Sequence, residues 1–331
     1  MKNLALNAGV SFRPHFKTHR NTQIAEIFKQ HGITKITVSS LTMAETFANA
    51  GFKDITIAFP FNILEIEKLK TTQQISKINL LVESLFTLQF LSKYLEKKTD
   101  IFIKIDSGYH RTGINPNNIS EIEKLVEICI QSQTLNFIGF LMHAGHTYKA
   151  KSKQEILEIH KHSELIAGNL KTKFPEAIVS IGDTPSCSIA KSFNNIDEIR
   201  PGNFVYYDIM QLQLGSCKFE NIAAIVACPV VAIHQHRNEI VIYGGGVHLS
   251  KEQLTINNKP YFGAVCLYNE ENRKFQILEH SFLTSLSQEH GIVKMHSQFI
   301  EKINPGDIIG IAPVHICMIP LIENSSDFTI Q

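Results

Sequence analysis

Residues 35–60, KITVSSLTMAETFANAGFKDITIAFP, contain one complete strand–helix–strand unit. Lys35–Ser40 (KITVSS) and Asp54–Phe59 (DITIAF) are short, β-branched and apolar, as buried strands are, and Pro60 closes the second. Between them Thr42–Ala50 predicts a helix, with Gly51 at the position just past its end where a left-handed residue is needed. Working outward, the same alternation continues in both directions. Upstream, Met1–Ala8 reads as the tail of a helix, Val10–Phe16 as a strand, and Asn21–His31 as a helix ended by Gly32. Downstream, Ile63–Gln74 and Leu85–Lys97 read as helices flanking a strand at Lys77–Glu83. Asp100–Asp106 (DIFIKID) alternates as a strand, and Ser120 is placed to cap a helix over Glu121–Gln131. A strand at Asn136–His143, a long helix at Lys153–Lys173, a strand at Ala177–Ile181, a short helix at Ser186–Ser192 and a strand within Glu198–Tyr207 complete the series.

About eight such units imply a parallel sheet and predict a closed (β/α)8 barrel of the TIM type. An open doubly wound sheet is the alternative, but no GxGxxG opens the first helix. Near Gly215 the pattern changes. Ala223–Ile233, Glu239–Tyr243, Tyr261–Tyr268, Lys274–Leu278 and Asp307–Ile311 are strand-like with turn residues between, which predicts a smaller antiparallel β domain. The boundary is placed at about Ser216, giving a barrel over 1–216 and a β domain over 217–331.

Across 331 residues, 44% are apolar and 19% charged, the balance of a globular chain with a sizeable core. A net charge of +1 exerts no bulk attraction on nucleic acid or anionic membrane. Six scattered cysteines without a CxxC pair read as reduced thiols of a cytoplasmic protein. No apolar run reaches membrane-spanning length, and no signal-peptide core opens the chain.

In a barrel, residues just after each strand converge on one face. Here they are Lys17 with His15 and His19, Ser39, Glu83, Asp106 with His110 and Arg111, His143 with His146 and Tyr148, Gly182 to Ser186, and Gly202 with Asn203. Lys17 sits within RPHFKTHR (13–20), where neighbouring positive charge and burial lower a lysine pKa and free its amine for Schiff-base chemistry. A solvated basic loop is the plain alternative. The turn at Gly182–Ser186, followed by Arg200-Pro201-Gly202-Asn203 after the next strand, suits a phosphate; capped loops are the plain alternative. His315-Ile316-Cys317 puts two borderline ligands at i and i+2, on one side of an extended segment, which suits an ion such as Zn²⁺ with open positions. Chance placement in a strand is the alternative. The His234–His236 stretch reads as a hairpin turn, and His160 and His162 as surface residues of the long helix.

These stretches together resemble the D-threonine aldolase / D-serine dehydratase group of pyridoxal-phosphate enzymes, whose fold is similar to alanine racemase. The matching segments are RPHFKTHR (13–20), IDSGYHRTGI (105–114), HAGHTY (143–148), GDTPSCS (182–188), EIRPGNFVYYD (198–208), GGGVHLSKE (244–252), SQEHG (287–291) and PVHIC (313–317). The resemblance implies an alanine racemase-type barrel followed by a β domain, a homodimer, and pyridoxal 5'-phosphate (PLP) on Lys17. It implies that Arg111 and Tyr148 lie against the cofactor, that Thr184, Gly202 and Asn203 hold its phosphate, and that His315 and Cys317 bind a divalent metal. Cysteine rather than aspartate at position 317 leans toward zinc and toward dehydration of a D-3-hydroxy amino acid to a keto acid and ammonia. Retro-aldol cleavage to glycine and an aldehyde is the alternative. Members of the group usually begin some tens of residues earlier and end in a longer strand-rich segment, which leaves a PLP-binding protein of little activity as a further alternative.

Overall fold

The structure, a computed structural model, describes residues 1–269, 271 and 274–319. Contacts divide the chain into two compact units, Met1–Phe204 and a second from Val205 onward.

The first unit carries eight parallel strands: β1 (Ser11–Phe12), β2 (Lys35–Val38), β3 (Asp54–Pro60), β4 (Lys77–Val82), β5 (Thr99–Lys104), β6 (Leu135–Met142), β7 (Ile178–Ile181) and β8 (Glu198–Ile199). Their order is β1-β8-β7-β6-β5-β4-β3-β2, with β2 to β8 in sequence order and β1 beside β8. A parallel bridge between His15 and Thr37 closes the ring, with Phe16 N–H donating to Thr37 O at 2.8 Å and Thr37 N–H to Pro14 O at 2.9 Å. The barrel expected from the alternation is therefore present. Its helices start where side chains can replace missing backbone partners: Asn21, Ser40, Ser84 and Ser152 each accept an N–H of the following turn. Gly51 has φ +95°, the left-handed geometry its position demanded.

Several boundaries differ from expectation. The strand read over Val10–Phe16 is confined to β1, because Pro14 has no N–H to offer a ladder. The strand read in Glu198–Tyr207 ends at Ile199, before Pro201, and Asn203–Val205 forms a single 3₁₀ turn. Ser120 does not cap the sixth-repeat helix; that helix begins at Ile119 with Asn118 before it, and Ser120 Oγ donates to Asn118 Oδ1. His160 is buried, its Nε2 bonded to Ser192 O and its ring against Phe193, since that face of the long helix packs inward.

Phe16, Ile36, Val38, Ile55, Leu80, Ile103, Phe140, Val179 and Ile199 belong to one continuous apolar core, each such side chain contributing about 1.5–3 kcal/mol by leaving water. A polar chain threads the same barrel. Arg13 Nε meets Glu198 Oε2 at 2.8 Å and its Nη1 meets Asp54 Oδ1 at 2.7 Å. Asn79 donates to Asp54 Oδ1 and Thr56 Oγ1, while Ser180 donates to Glu198 Oε1 and accepts from Arg200 Nε.

In the second unit β9 (Val226–His234), β10 (Glu239–Tyr243), β13 (Gly263–Asn269), β14 (Lys274–Leu286), β15 (His290–Lys294) and β16 (Ile308–Pro313) close an antiparallel barrel in the order β10-β15-β14-β13-β16-β9. β11 (Leu254–Ile256) and β12 (Lys259–Tyr261) pair as a separate hairpin. The strands β11, β12 and β15 were not anticipated, being short and at least half exposed, and β14 runs past the expected end at Leu278. Gln235–Arg237 makes the turn between β9 and β10, as read, with Asn238 in the left-handed region. Among the described residues no helix is long and apolar enough to cross a membrane.

Candidate active site

A cavity of ≈ 290 Å³ lies at the C-terminal ends of the barrel strands. His15 and Lys17 reach it after β1, Ser39 after β2, Phe59 and Pro60 from the end of β3, Lys104 from the end of β5, His143 after β6, Gly182 and Asp183 after β7, and Arg200 and Gly202 after β8. Arg111, Thr112 and Tyr148 complete the polar wall. Of the residues singled out in the sequence, Lys17, Arg111, Tyr148 and Gly202 thus share one cavity. Thr184 and Asn203 are buried one residue beyond lining positions, and Thr184 N–H donates to Tyr148 Oη at 3.3 Å.

Local packing explains why Lys17 faces this space. Phe16 is wholly buried against Phe28, Phe47 and Phe52, and the next side chain turns the other way. Lys17 N–H donates to His15 Nδ1 at 3.2 Å, and Lys17 O accepts from Arg20 Nε at 3.2 Å. His19, grouped with Lys17 in the sequence, instead joins the aromatic cluster beside Phe16 and Phe28, where burial pushes its pKa down to about 3. Asp106 does not line the cavity. Its Oδ1 accepts three backbone N–H bonds, from Gly108, Tyr109 and His110, and its Oδ2 meets His110 Nδ1, which shapes the loop leading to Arg111.

The cavity is strongly cationic: Lys17, Lys104, Arg111 and Arg200 face a single carboxylate, Asp183. Asp183 Oδ1 is already engaged by Ser186 N–H at 2.7 Å and Thr147 Oγ1 at 3.1 Å. Burial, with the Lys17 charge next, holds His15 and His143 well below the ordinary histidine range, so both are neutral. His143 Nδ1 contacts Gly182 O, which assigns its proton to that nitrogen. Burial and then the Arg200 charge bring Lys104 down to about 7. Lys104 was not among the residues singled out, and Arg200 was named only as the first residue of the turn at 200–203. Their signals were a lysine inside the apolar DIFIKID run and an arginine at a strand end, both of which a surface residue also produces.

Gly202 is held by close backbone approach: a Cβ there would stand 2.9 Å from His15 O and 3.1 Å from His15 Cβ. Thr184 Oγ1 is buried without a hydrogen-bond partner among the described residues. A buried hydroxyl left unsatisfied costs about 1–3 kcal/mol unless a ligand accepts it. An anion bearing several oxygens fits both features and the surplus of positive charge.

In the second unit His315 Nδ1 lies 3.0 Å from Asp208 Oδ2, and Cys317 hydrogen-bonds the same imidazole. Burial lowers the His315 pKa, but Asp208 and then Cys317 outweigh it and raise the group to about 10. The extended HxC geometry expected from the sequence is not kept: His315 is extended, but Ile316–Met318 curl into one 3₁₀ turn. Tight i→i+3 turns close without the ladder partners a strand needs. Among the described residues no group of three or more His, Cys, Asp and Glu side chains converges as a metal site. A nitrogen and a sulfur donor side by side nevertheless suit a borderline ion that keeps open positions.

A parallel barrel with a lysine in a cavity lined by basic side chains at its strand ends, together with an antiparallel β barrel, defines a two-domain barrel protein. The chain belongs to the alanine racemase N-terminal domain family, which matches residues 1–209, and a putative serine dehydratase domain matches residues 223–320. It is 31% identical to a D-serine dehydratase of Dictyostelium discoideum, over 96% of this chain and 86% of that protein. An alanine racemase-like protein of Idiomarina loihiensis has a similar solved structure (TM-score 0.85, 26% identity, 96% and 87% of the two chains). So does the D-threo-3-hydroxyaspartate dehydratase of Delftia sp. HT23 (TM-score 0.84, 23% identity, 96% and 86%), which is also solved as a cysteine-to-alanine mutant in the metal-free form.

Proposed function

We propose that this protein is a PLP- and divalent-metal-dependent lyase that removes water from a D-3-hydroxy amino acid such as D-serine, the resulting enamine then taking up water to give a keto acid and ammonia. The observation that carries this reading is Lys17 sharing a cavity with three further basic side chains, Lys104, Arg111 and Arg200, and one carboxylate. The dehydratase names of the similar proteins support the reaction class. PLP, when bound, supplies the electron sink that acidifies the substrate's α C–H bond. Lys17 Nζ would be the amine that holds the cofactor and the base that takes the α proton. Thr184, Gly202 and Asn203 hold the phosphate, and Arg111 and Tyr148 orient the ring. His15 and His143 stay neutral and leave the positive charge to the lysine and arginine side chains. His315 and Cys317 hold the metal, taken as Zn²⁺, which supplies Lewis acidity for the departing hydroxyl. Six free cysteines support a reducing, cytoplasmic setting, and the family resemblance supports a homodimer.

The test is direct. Protein loaded with PLP and zinc is incubated with D-serine, D-threonine and D-threo-3-hydroxyaspartate, and the products are identified. Keto acid and ammonia are expected. Glycine and an aldehyde as the only products would make the protein an aldolase, and PLP uptake without turnover would make it a binder. Borohydride reduction should fix PLP to Lys17; a label on another lysine refutes the site.

A further inference from the structure

We infer that Asp208 is a positioning residue for metal binding: its carboxylate holds His315 in the Nδ1–H tautomer and so presents Nε2 as the donor nitrogen. The inference rests on the reading of His315 and Cys317 as metal ligands. Asp208 is fully buried, and three donors converge on it. Gln211 N–H donates to Oδ1 at 2.9 Å, Ile316 N–H donates to Oδ2 at 3.1 Å, and His315 Nδ1 approaches Oδ2 at 3.0 Å. Backbone amides can only donate, so both carboxylate oxygens are acceptors. The proton in the third contact therefore belongs to His315 Nδ1, and a metal that displaces the other ring proton binds at Nε2.

The arrangement is built into the backbone around it. Asp208 is the cap of the short helix Ile209–Gln213, and Met210 N–H donates to Val314 O at 3.1 Å, tying that helix to the residue before His315. Tyr207, directly before Asp208, has φ +51°, a left-handed geometry unfavourable for a bulky side chain. Strain of this kind persists where the surroundings over-determine a position. One carboxylate thus serves two ends: Oδ1 starts a helix, and Oδ2 orients the imidazole and the turn that carries Cys317. A carboxylate behind a metal-binding histidine fixes ring orientation and raises ligand basicity, and losing it lowers metal affinity about 10–100-fold.

Asp208→Asn tests the assignment because it conserves size. If the amide oxygen keeps the helix cap, the amide nitrogen faces two donors; if the amide flips, the cap is lost. Zinc affinity, measured by competition with a chromogenic chelator, should fall about 10–100-fold, while in a His315→Ala background the same change should cause no further loss. A purely structural Asp208 would weaken binding in both backgrounds. The wild-type protein gives an independent reading. Nitrogen-15 histidine spectra, with His315 assigned by its loss in His315→Ala, should show zinc on Nε2 and a retained proton on Nδ1. Zinc on Nδ1, or unaltered affinity in Asp208→Asn, overturns the inference while sparing the metal reading. No zinc binding by the wild-type protein overturns both.

Discussion

Replacing Arg13 by methionine removes the cation from the polar chain inside the barrel and leaves two carboxylates behind. Glu198 and Arg13 are nearly inaccessible, at 5% and 6% side-chain exposure, and Asp54 is at 22%. Breaking a buried pair by deleting one partner costs about 3–5 kcal/mol, because the surviving charge loses its hydrogen-bonded counter-ion where little water can replace it. At about 2–4 °C of Tm per kcal/mol for a domain of this size, the barrel transition should fall by about 6–20 °C. The pH dependence identifies the cause. In the wild-type protein burial raises the Asp54 pKa, but the Arg13 hydrogen bond and charge outweigh that and hold it below its ordinary value. The associated stability is present above the unfolded carboxylate pKa and is lost as pH falls through the folded value. In the variant the carboxylates are most costly when ionised, so the stability gap should be largest near neutrality and shrink below about pH 4. Calorimetric melts of both proteins across that range measure it. The double variant Arg13→Met/Glu198→Gln should recover part of the loss, since one unpaired charge is gone. A Tm within about 2 °C of wild type, or a gap independent of pH, would refute the ion-pair reasoning.

Gly202→Ala should weaken PLP binding about 5–150-fold, from the about 1–3 kcal/mol of overpacking a methyl group meets against the His15 backbone, and equilibrium dialysis measures it. Lys104 carries a pKa of about 7, below that of a free lysine, so the unfolded chain binds more protons above that value. Stability of the ligand-free protein should therefore rise as pH increases from about 7 toward about 10, and Lys104→Met should flatten the rise in urea titrations. Cys317→Asp should move metal preference from Zn²⁺ toward Mn²⁺ or Mg²⁺, as an oxygen donor replaces a thiol, with competition titrations as the measure. Chelator should abolish keto acid formation while leaving the borohydride label on Lys17 in place, which mass spectrometry of the reduced protein checks.

Much of the fold was legible in the sequence because it depends on local rules. The apolar runs at Lys35–Ser40 and Asp54–Phe59, the helix between them and Gly51 at its end each follow from residue chemistry over a few positions, and repetition of that unit implies the barrel. Lys17, Arg111, Tyr148 and Gly202 could be listed together for the same reason: barrel strand ends converge wherever the strands exist. The tertiary structure decided what proximity decides. Lys104 and Arg200 belong to the cavity only because the end of β5 and the turn after β8 bring those side chains to it. His19, two residues from Lys17, leaves the site because an aromatic cluster gathered from separate helices and loops receives it. Asp208 and His315 stand 107 positions apart, and nothing in either neighbourhood announces the other. A strand or a helix is set by interactions within a few residues, whereas a hydrogen bond between distant side chains exists only after chain folding has fixed both backbones and excluded water from the space between them.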